Sequence, residues 1–446
     1  MQSGKRGLTG RHIQFIALGG AIGSGLFLGS GQGIALAGPA VLAAYAASGV
    51  MMYFIARALG ELTLNDPRDG SFTGYANDYI GPWCGFVTGW SYWLSWILVG
   101  MADLTAVGSF LHFWWPDLPQ WLSVLVGLSL LYGINRLGVR VFGELEFWLA
   151  IIKVLAIVAL LVTGVVIIGF GLTVGGTTPR LSNLWEHGGW FPTGATGFLS
   201  VLPITFFAFG GTELIGLTAC EAEDPDRAVP RAINSVIARI FLFYVGSITV
   251  IMTLFPWDGL DAHQSPFVLV FDKIGLPAAA GLINFVVLTA VLSSCNSGLF
   301  ATARVLTALA GQGQAPKALG DHDKRGIPAK GLTVSAAAML GGVALNYLAP
   351  DQAFGYLLEA AILLLMWAWM VSVVCHWRFR REIGNTPSQF RLPLFPLINV
   401  LIIAFILIII GLMVTILGMG LPVLLAVAWF AGLLAAYALV RRNASA

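Results

Sequence analysis

Two glycine clusters inside apolar stretches are the parts of this sequence whose residue types and spacing could do chemistry. The first is Gly23-Ser24-Gly25, within the run from Leu18 to Phe27. The second is Gly210-Gly211, within Phe206-Phe207-Ala208-Phe209-Gly210-Gly211-Thr212-Glu213. Glycine costs a helix interior about 1 kcal/mol relative to alanine, so each cluster marks a place where a helix can unwind. An unwound segment exposes N–H groups at the start of one half-helix and C=O groups at the end of the other. Within a bilayer such groups suit the carboxylate and the ammonium of a zwitterion. The competing reading is close helix packing, for which the spacing of Gly19 and Gly23 is also suited. A phosphate-binding loop fits poorly, because Gly23-Ser24-Gly25 lacks the third glycine, the lysine and the preceding strand.

Ionisable residues within apolar runs form a second set. Such groups are expensive in hydrocarbon unless paired or solvated, so Asp103, Lys153, Glu213 and Glu359 are functional candidates. Lys153 lies mid-run after Phe147-Trp148-Leu149-Ala150-Ile151-Ile152, too central to snorkel to an interface, and its ammonium needs an acceptor. Glu213 follows the second glycine cluster, where it serves either a protonation step or a hydrogen bond to the broken backbone. Glu359 favours a cationic group on a ligand if it faces a pocket. It is merely solvated if it lies near the start of its span, which Asp351 and Gln352 mark. No nucleophile–base set, metal cluster or cofactor loop stands out, so no enzyme activity, cofactor or metal is expected. Cys84, Cys220, Cys295 and Cys375 are isolated and read as small apolar fillers.

The elements that must position these residues are membrane helices. Only 10% of the 446 residues are charged and 57% are hydrophobic, with a mean hydropathy of +0.83. A soluble protein of this size carries about 25% charged residues. Apolar runs recur from Ile13 to the C-terminus, and a 20-residue helix rises about 30 Å, the thickness of a bilayer core. In that medium every backbone polar group must be satisfied within the run, which only a helix achieves. Breaks at glycine, proline and charge clusters divide the chain into about twelve spans. They lie near 13–37, 39–63, 84–113, 120–136, 142–170, 193–219, 231–256, 276–309, 329–348, 352–376, 393–418 and 420–440. The expected fold class is an all-α polytopic membrane protein.

Charge orients the bundle. With the N-terminus in the cytoplasm, the 24 lysines and arginines fall on the cytoplasmic side, apart from Arg180 and Lys273 outside and Lys153 within a span. This is the asymmetry of the positive-inside rule, and it places both termini in the cytoplasm. Lys5, Arg6 and Arg11 also raise a cleavable signal, but the stretch that follows is Gly-rich and longer than a signal core, so it reads as the first membrane helix. A net charge of +2 with no run of like charges argues against a nucleic-acid partner. The link 171–192 carries Trp185 and Trp190, residues that anchor at interfaces. The segment from Glu221 to Arg231 reads as a solvated loop or an inner gate made of ion pairs.

Several motifs together resemble one family. Gly23-Ser24-Gly25-Leu26-Phe27 resembles the first-helix motif of the amino acid–polyamine–organocation superfamily. Gly70-Ser71-Phe72 with Tyr75-Ala76, Gly81-Pro82-Trp83 and Gly89-Trp90-Ser91-Tyr92-Trp93 are similar to its bacterial amino acid permease branch. So are Gly211-Thr212-Glu213-Leu214-Ile215-Gly216, Glu221-Ala222-Glu223-Asp224-Pro225, Pro230-Arg231-Ala232, and Asn296-Ser297-Gly298 with Ala315-Pro316-Lys317. The resemblance implies a leucine-transporter-like fold with 5+5 inverted repeats, spans 1–5 at about 13–170 and spans 6–10 at about 193–376. Residues 1–392 would form this core, and 393–446 would add spans 11 and 12. It further implies alternating access in a bacterial cytoplasmic membrane, with an amino acid and protons as partners.

By motif position, the resemblance implies that Gly23, Ser24 and Gly25 hold the substrate carboxylate. The carbonyls of Ile22, Phe207, Ala208 and Phe209 would receive its ammonium at the break completed by Gly210, with Phe207 as an aromatic lid. It implies proton-linked gating for Glu213, and either coupling or a helix contact for Asp103. Lys153 stands where sodium-coupled relatives bind a cation, which implies either direct coupling or a fixed charge bracing span 1 against span 8. Ser293, Ser294 or Ser297 would be its partners. The cargo stays open: some segments are similar to permeases for D-alanine, D-serine and glycine, others to aromatic amino acid permeases. Proline, GABA, histidine and lysine carriers, an exchanger and a transport-silent sensor are the alternatives.

Overall fold

The computed structural model describes residues 22–66, 72–176, 178–219, 224–261, 264–275, 277–384 and 388–444. Among these residues there is no strand, and nine helices are long and apolar enough to cross a bilayer. The chain enters as a short α1 (Ser24–Phe27), which passes through Leu28 into α2 (Gly29–Ala37). Then come α3 (Ala40–Asn65), α4 (Pro82–Leu111), α5 (Gln120–Asn135) and α6 (Val139–Phe170). A link in which the Trp185 and Trp190 rings lie 6.1 Å apart leads to α7 (Gly194–Phe207) and α8 (Leu214–Ala219). Next, α9 (Pro225–Arg239) runs through a π-helical turn, Ile240–Gly246, into α10 (Ser247–Leu254). Last are α11 (Pro277–Gly311), α12 (Ala329–Leu348), α13 (Pro350–Ile383), α14 (Leu397–Thr415) and α15 (Gly420–Ala444). Each of the expected spans has its counterpart, with α1 and α2 standing for span 1, and α7 and α8 for span 6. Leu18 to Ala21, Gly70-Ser71 and Cys220 to Glu223 lie outside the described residues.

The bundle is organised around α4, which packs most extensively against α11 and α13. Its inward face, from Tyr92 through Trp96 to Asp103, is almost wholly buried. By contrast, α15 turns Leu421, Leu424 and Val427 outward, each more than half exposed. Apolar side chains in such numbers on the outside of a helix are stable against lipid, not against water. The polar links are held by their own backbone. Asp323 accepts hydrogen bonds from the N–H groups of Ile327 (3.0 Å) and Arg325 (2.8 Å). Those donors hold its carboxyl below the usual carboxylate range.

One helix end departs from expectation. The sequence predicts that the tenth span stops near residue 376, but α13 continues to Ile383. His376 and Arg380, at that end of the helix, are buried, not solvated, because they reach Glu61 of α3. Glu61 Oε1 accepts from Arg380 (2.8 Å) and Ser388 (2.6 Å), and Oε2 from His376 Nε2 (3.0 Å) and the Leu392 N–H (2.6 Å). His376 Nδ1 meets Asn399 Nδ2 at 3.0 Å, which draws α14 into the same network. Glu61 and His376 are fully buried and Arg380 nearly so. Removing one partner of a buried ion pair strands the other charge, at a cost of about 3–5 kcal/mol. Glu61→Ala should therefore lower the apparent melting temperature of the detergent-purified protein sharply, whereas Glu382→Ala, on the same end of α13 but exposed, should not. Equal melting curves for the two variants would show that the network does not hold the fold.

Candidate functional site

Both interruptions are present, and they meet. Gly23 is extended (φ −127°, ψ −153°), and the first helical bonds run from the Leu26 and Phe27 N–H groups to its carbonyl. The N–H groups of Ser24 and Gly25 thus stand at the open end of a half-helix, where partial positive charge collects. In the sixth span, α7 stops at Phe207 and the chain turns through 208–213 before α8. Gly211 takes φ +98°, a conformation that favours glycine. The two breaks touch so closely that a Cβ on Gly25 would lie 2.9 Å from Ala208 Cα. One on Gly23 would lie 2.6 Å from Ser294 Oγ. The glycines therefore serve both readings offered by the sequence, unwinding and close approach.

A cavity lies at this junction. Gly23, Ser24 and Gly25 form one side, and Phe207, Ala208 and Gly210 the opposite side. From α4 come Trp96, Val99 and Asp103, and Ser294 and Leu365 close it from α11 and α13. The space between these walls is narrow. Ser24 donates its hydroxyl to Asp103 Oδ1 at 2.5 Å, and its N–H is directed at the same carboxylate. The other oxygen, Oδ2, has no hydrogen-bond partner among the described residues, although it is buried.

The carbonyls of the sixth-span break each have a partner within the protein. Phe207 C=O accepts from the Gly210 N–H (2.8 Å), and Phe209 C=O from the Thr212 hydroxyl (2.8 Å). Ala208 C=O accepts from the Tyr244 hydroxyl at 2.9 Å. A carbonyl has two lone pairs, so an ammonium can still be received beside these donors. Glu213 turns back on the break: Oε2 accepts from the Gly211 N–H (3.0 Å) and Oε1 from the Tyr92 hydroxyl (3.1 Å).

Other residues lie off the cavity wall. Phe209 packs with Tyr45 and Tyr244, at ring-centroid distances of 6.2 and 4.5 Å. Ile22 is buried just before the break. Glu359 is half-buried in α13, while Leu365 further along that helix is the residue that reaches the cavity. Lys153 is wholly buried, and its ammonium interacts with the carboxylates of Glu146 and Asp103.

Comparison with known proteins places this architecture. The family described as Amino acid permease matches residues 12–445. An uncharacterized amino acid permease of Bacillus subtilis is 45% identical over 97% of this chain and 94% of the relative. The D-serine/D-alanine/glycine transporter of Escherichia coli is 45% identical over 91% of this chain and 87% of its own. An aromatic amino acid transport protein of Escherichia coli is 44% identical over 99% and 97%. The chain belongs to the amino acid permease family. It is a multi-pass membrane protein for amino acid transport, and not an enzyme.

Three residues of the permease site were not identified from sequence. Glu146 lies seven residues before Lys153, which is two turns along the same helix face. That spacing was a usable signal, but Glu146 sits near the start of its span, where a carboxylate passes for an interfacial group. Trp96 looked like one more aromatic in an aromatic-rich helix. Tyr244 is aimed from within the π-helical turn, for which periodicity carries no signal. The fit between Gly25 and Ala208 generates a direct test. Gly25→Ala should weaken substrate binding at least about tenfold, or about 1.4 kcal/mol. The same clash must shift the facing backbone, so the melting temperature without substrate should fall as well, by the equivalent of about 1–3 kcal/mol; unaltered binding would show that the breaks need not touch.

Proposed function

We propose that this permease is a secondary transporter that takes up a small neutral amino acid together with a proton by alternating access. The observation that carries the reading is the Asp103 carboxylate on Ser24. It occupies the donors of the half-helix that an amino acid carboxylate would need. Two carboxylates cannot share one set of donors without strong repulsion, least of all in a dry interior. Protonation of Asp103 relieves that repulsion and frees the Ser24 hydroxyl and N–H for the substrate. Proton and substrate therefore bind together, which is the requirement for symport. The substrate ammonium goes to the carbonyls of Phe207 and Ala208 and to Ile22 at the facing break, with Phe207 covering it. Lys153 acts as a fixed charge near Asp103, Ser294 lies beside Asp103, and Glu213 keeps the sixth-span break in shape.

The narrow space and its walls support a small side chain on the cargo. Trp96 cannot retreat to enlarge the cavity, because the face of α11 behind it is tight: a Cβ on Gly298 would lie 2.5 Å from the Trp96 ring. Glu359 lies off the wall, which removes the main argument for a basic cargo. The substrates for which the Escherichia coli D-serine/D-alanine/glycine transporter is named fit this size class. An arrangement of five plus five inverted repeats, followed by α14 and α15, accounts for the paired breaks in spans 1 and 6. A cytoplasmic side for both termini is supported by the gathering of basic residues at one end. There Arg57 donates to the Arg391 carbonyl and approaches Asn234, and Arg325 donates to the Arg136 carbonyl.

Two measurements test the reading. Purified protein titrated with glycine, alanine and serine of both hands should melt at higher temperature, by an amount equivalent to about 2.7 kcal/mol at a hundredfold excess over Kd. Tryptophan should give no shift; stabilisation by tryptophan alone would refute the size argument. In proteoliposomes, an inward proton gradient should drive accumulation of the same amino acids. Asp103→Asn should abolish that accumulation while counterflow exchange persists. Accumulation at the wild-type level in Asp103→Asn would rule Asp103 out as the proton carrier.

A further inference from the structure

Asp103, Glu146 and Lys153 are each fully buried, and their charges interact across the space between α4, α6 and α11. Two carboxylates and one ammonium leave an excess negative charge in a medium that tolerates none well. One proton on one carboxylate makes the set neutral. The hydrogen bonds around Glu146 and Asp103 distinguish the two carboxylates. Asn135 Nδ2 donates to the Leu131 carbonyl (3.0 Å), which fixes the orientation of its amide. The same Nδ2 donates to Asn296 Oδ1 (2.6 Å), so the Asn296 amide is fixed in turn. Asn296 therefore presents its NH2 to Glu146 Oε1 at 2.7 Å, and Oε1 can only accept. Ser293 occupies Oε2 at 2.6 Å. Glu146 thus has a partner on each oxygen, whereas Asp103, with Ser24 on Oδ1 and Ser294 close by, keeps a buried Oδ2 with no hydrogen-bond partner within 3.5 Å among the described residues.

We propose that Glu146 is a positioning residue, the permanent counter-ion of Lys153, and that this neutral pair leaves Asp103 as the one group of the three that gains and loses a proton. This deepens the symport reading and rests on it for the role of Asp103. The charged and polar groups that face Glu146 are Lys153 on its own helix, Ser293, Cys295, Asn296 and Ser297 on α11, Asn135 at the end of α5 through Asn296, and Asp103 on α4 beyond Lys153. Without Glu146, Asp103 is the remaining carboxylate whose charge acts on the ammonium among the described residues, and it is held as a carboxylate on Ser24. Without both members of the pair, Asp103 is free to titrate again.

The test uses full-length protein in proteoliposomes, with glycine and alanine as probes. Three readouts are followed: gradient-driven accumulation, counterflow exchange, and substrate binding by thermal shift between pH 5 and 9. Glu146→Gln should lose accumulation at least tenfold and bind with a flat pH profile. The double variant Glu146→Gln/Lys153→Met should recover accumulation and the sloped profile to within about threefold of wild type, by the same fold-change reading. A purely structural role would lower protein yield and melting temperature without flattening the pH profile. Wild-type accumulation and pH profile in Glu146→Gln would overturn the proposal. So would a double variant no better than the single ones. If wild-type protein shows no gradient-driven accumulation, the symport reading falls by itself. The pair is then judged on counterflow, where restoration in the double variant supports it and its failure refutes it.

Discussion

A bilayer core offers a peptide group nothing to bond with, so any place where a membrane helix breaks must be supported wholly from within the protein. Everything at the site of this permease follows from that constraint. The break before α1 leaves donors open, and Asp103 of α4 takes them. The break after α7 leaves carbonyls open, and Tyr244, Thr212 and the Gly210 N–H take those. Glu213 then holds the Gly211 N–H. Each support comes from a neighbouring element, which is why the breaks are buried at the junction of several helices and not on the lipid face. A ligand that brings a carboxylate and an ammonium competes with these internal supports for the same backbone groups. On the proposed reading, binding is an exchange of partners at these backbone groups.

Much of this was readable in the sequence, for physical reasons that are easy to state. Long apolar runs allow only one backbone solution, so the helices and their order follow from hydropathy and from Gly, Pro and charge punctuation. Glycines that cluster mid-span declare themselves because the helix does not want them there. Lys153 and Asp103 stood out for a similar reason, as charges in the wrong solvent. What the sequence concealed were relations between distant parts of the chain. The pairing of Asp103 with Ser24 joins residues 79 apart in sequence, and that of Glu61 with Arg380 joins residues 319 apart. No periodicity links such positions. The length of α13 was misjudged for the same reason, since its polar end reads as a solvated terminus until Glu61 is seen inside it.

Buried charge is handled in two ways in this molecule. Around Glu61 the carboxylate meets four donors from α13 and the link to α14, and the result is a clamp. Around Lys153 the charges do not cancel so completely, and one carboxylate oxygen is left without a partner among the described residues. The first arrangement resists change, whereas the second is one proton away from a different charge state. The contrast separates a network whose carboxylate is fully supplied with donors from one that is not, although both are buried sets of charged and polar side chains.

The π-helical turn at Ile240–Gly246 has a consequence for how this chain can vary. A π turn is wider than an α turn, so the segment holds a residue more than the same rise of regular helix would need. Loss of one residue there would heal the helix into regular α geometry and leave the helix on either side in its present register, so that only the side chains within the turn change direction. The Tyr244 hydroxyl would swing away from Ala208, while the apolar face of α10 stayed packed. Elsewhere in a membrane helix a deletion harms packing first. Here it would spare the packing and remove one hydrogen bond at the site, so natural relatives of different length in this segment should differ in ligand handling before they differ in stability.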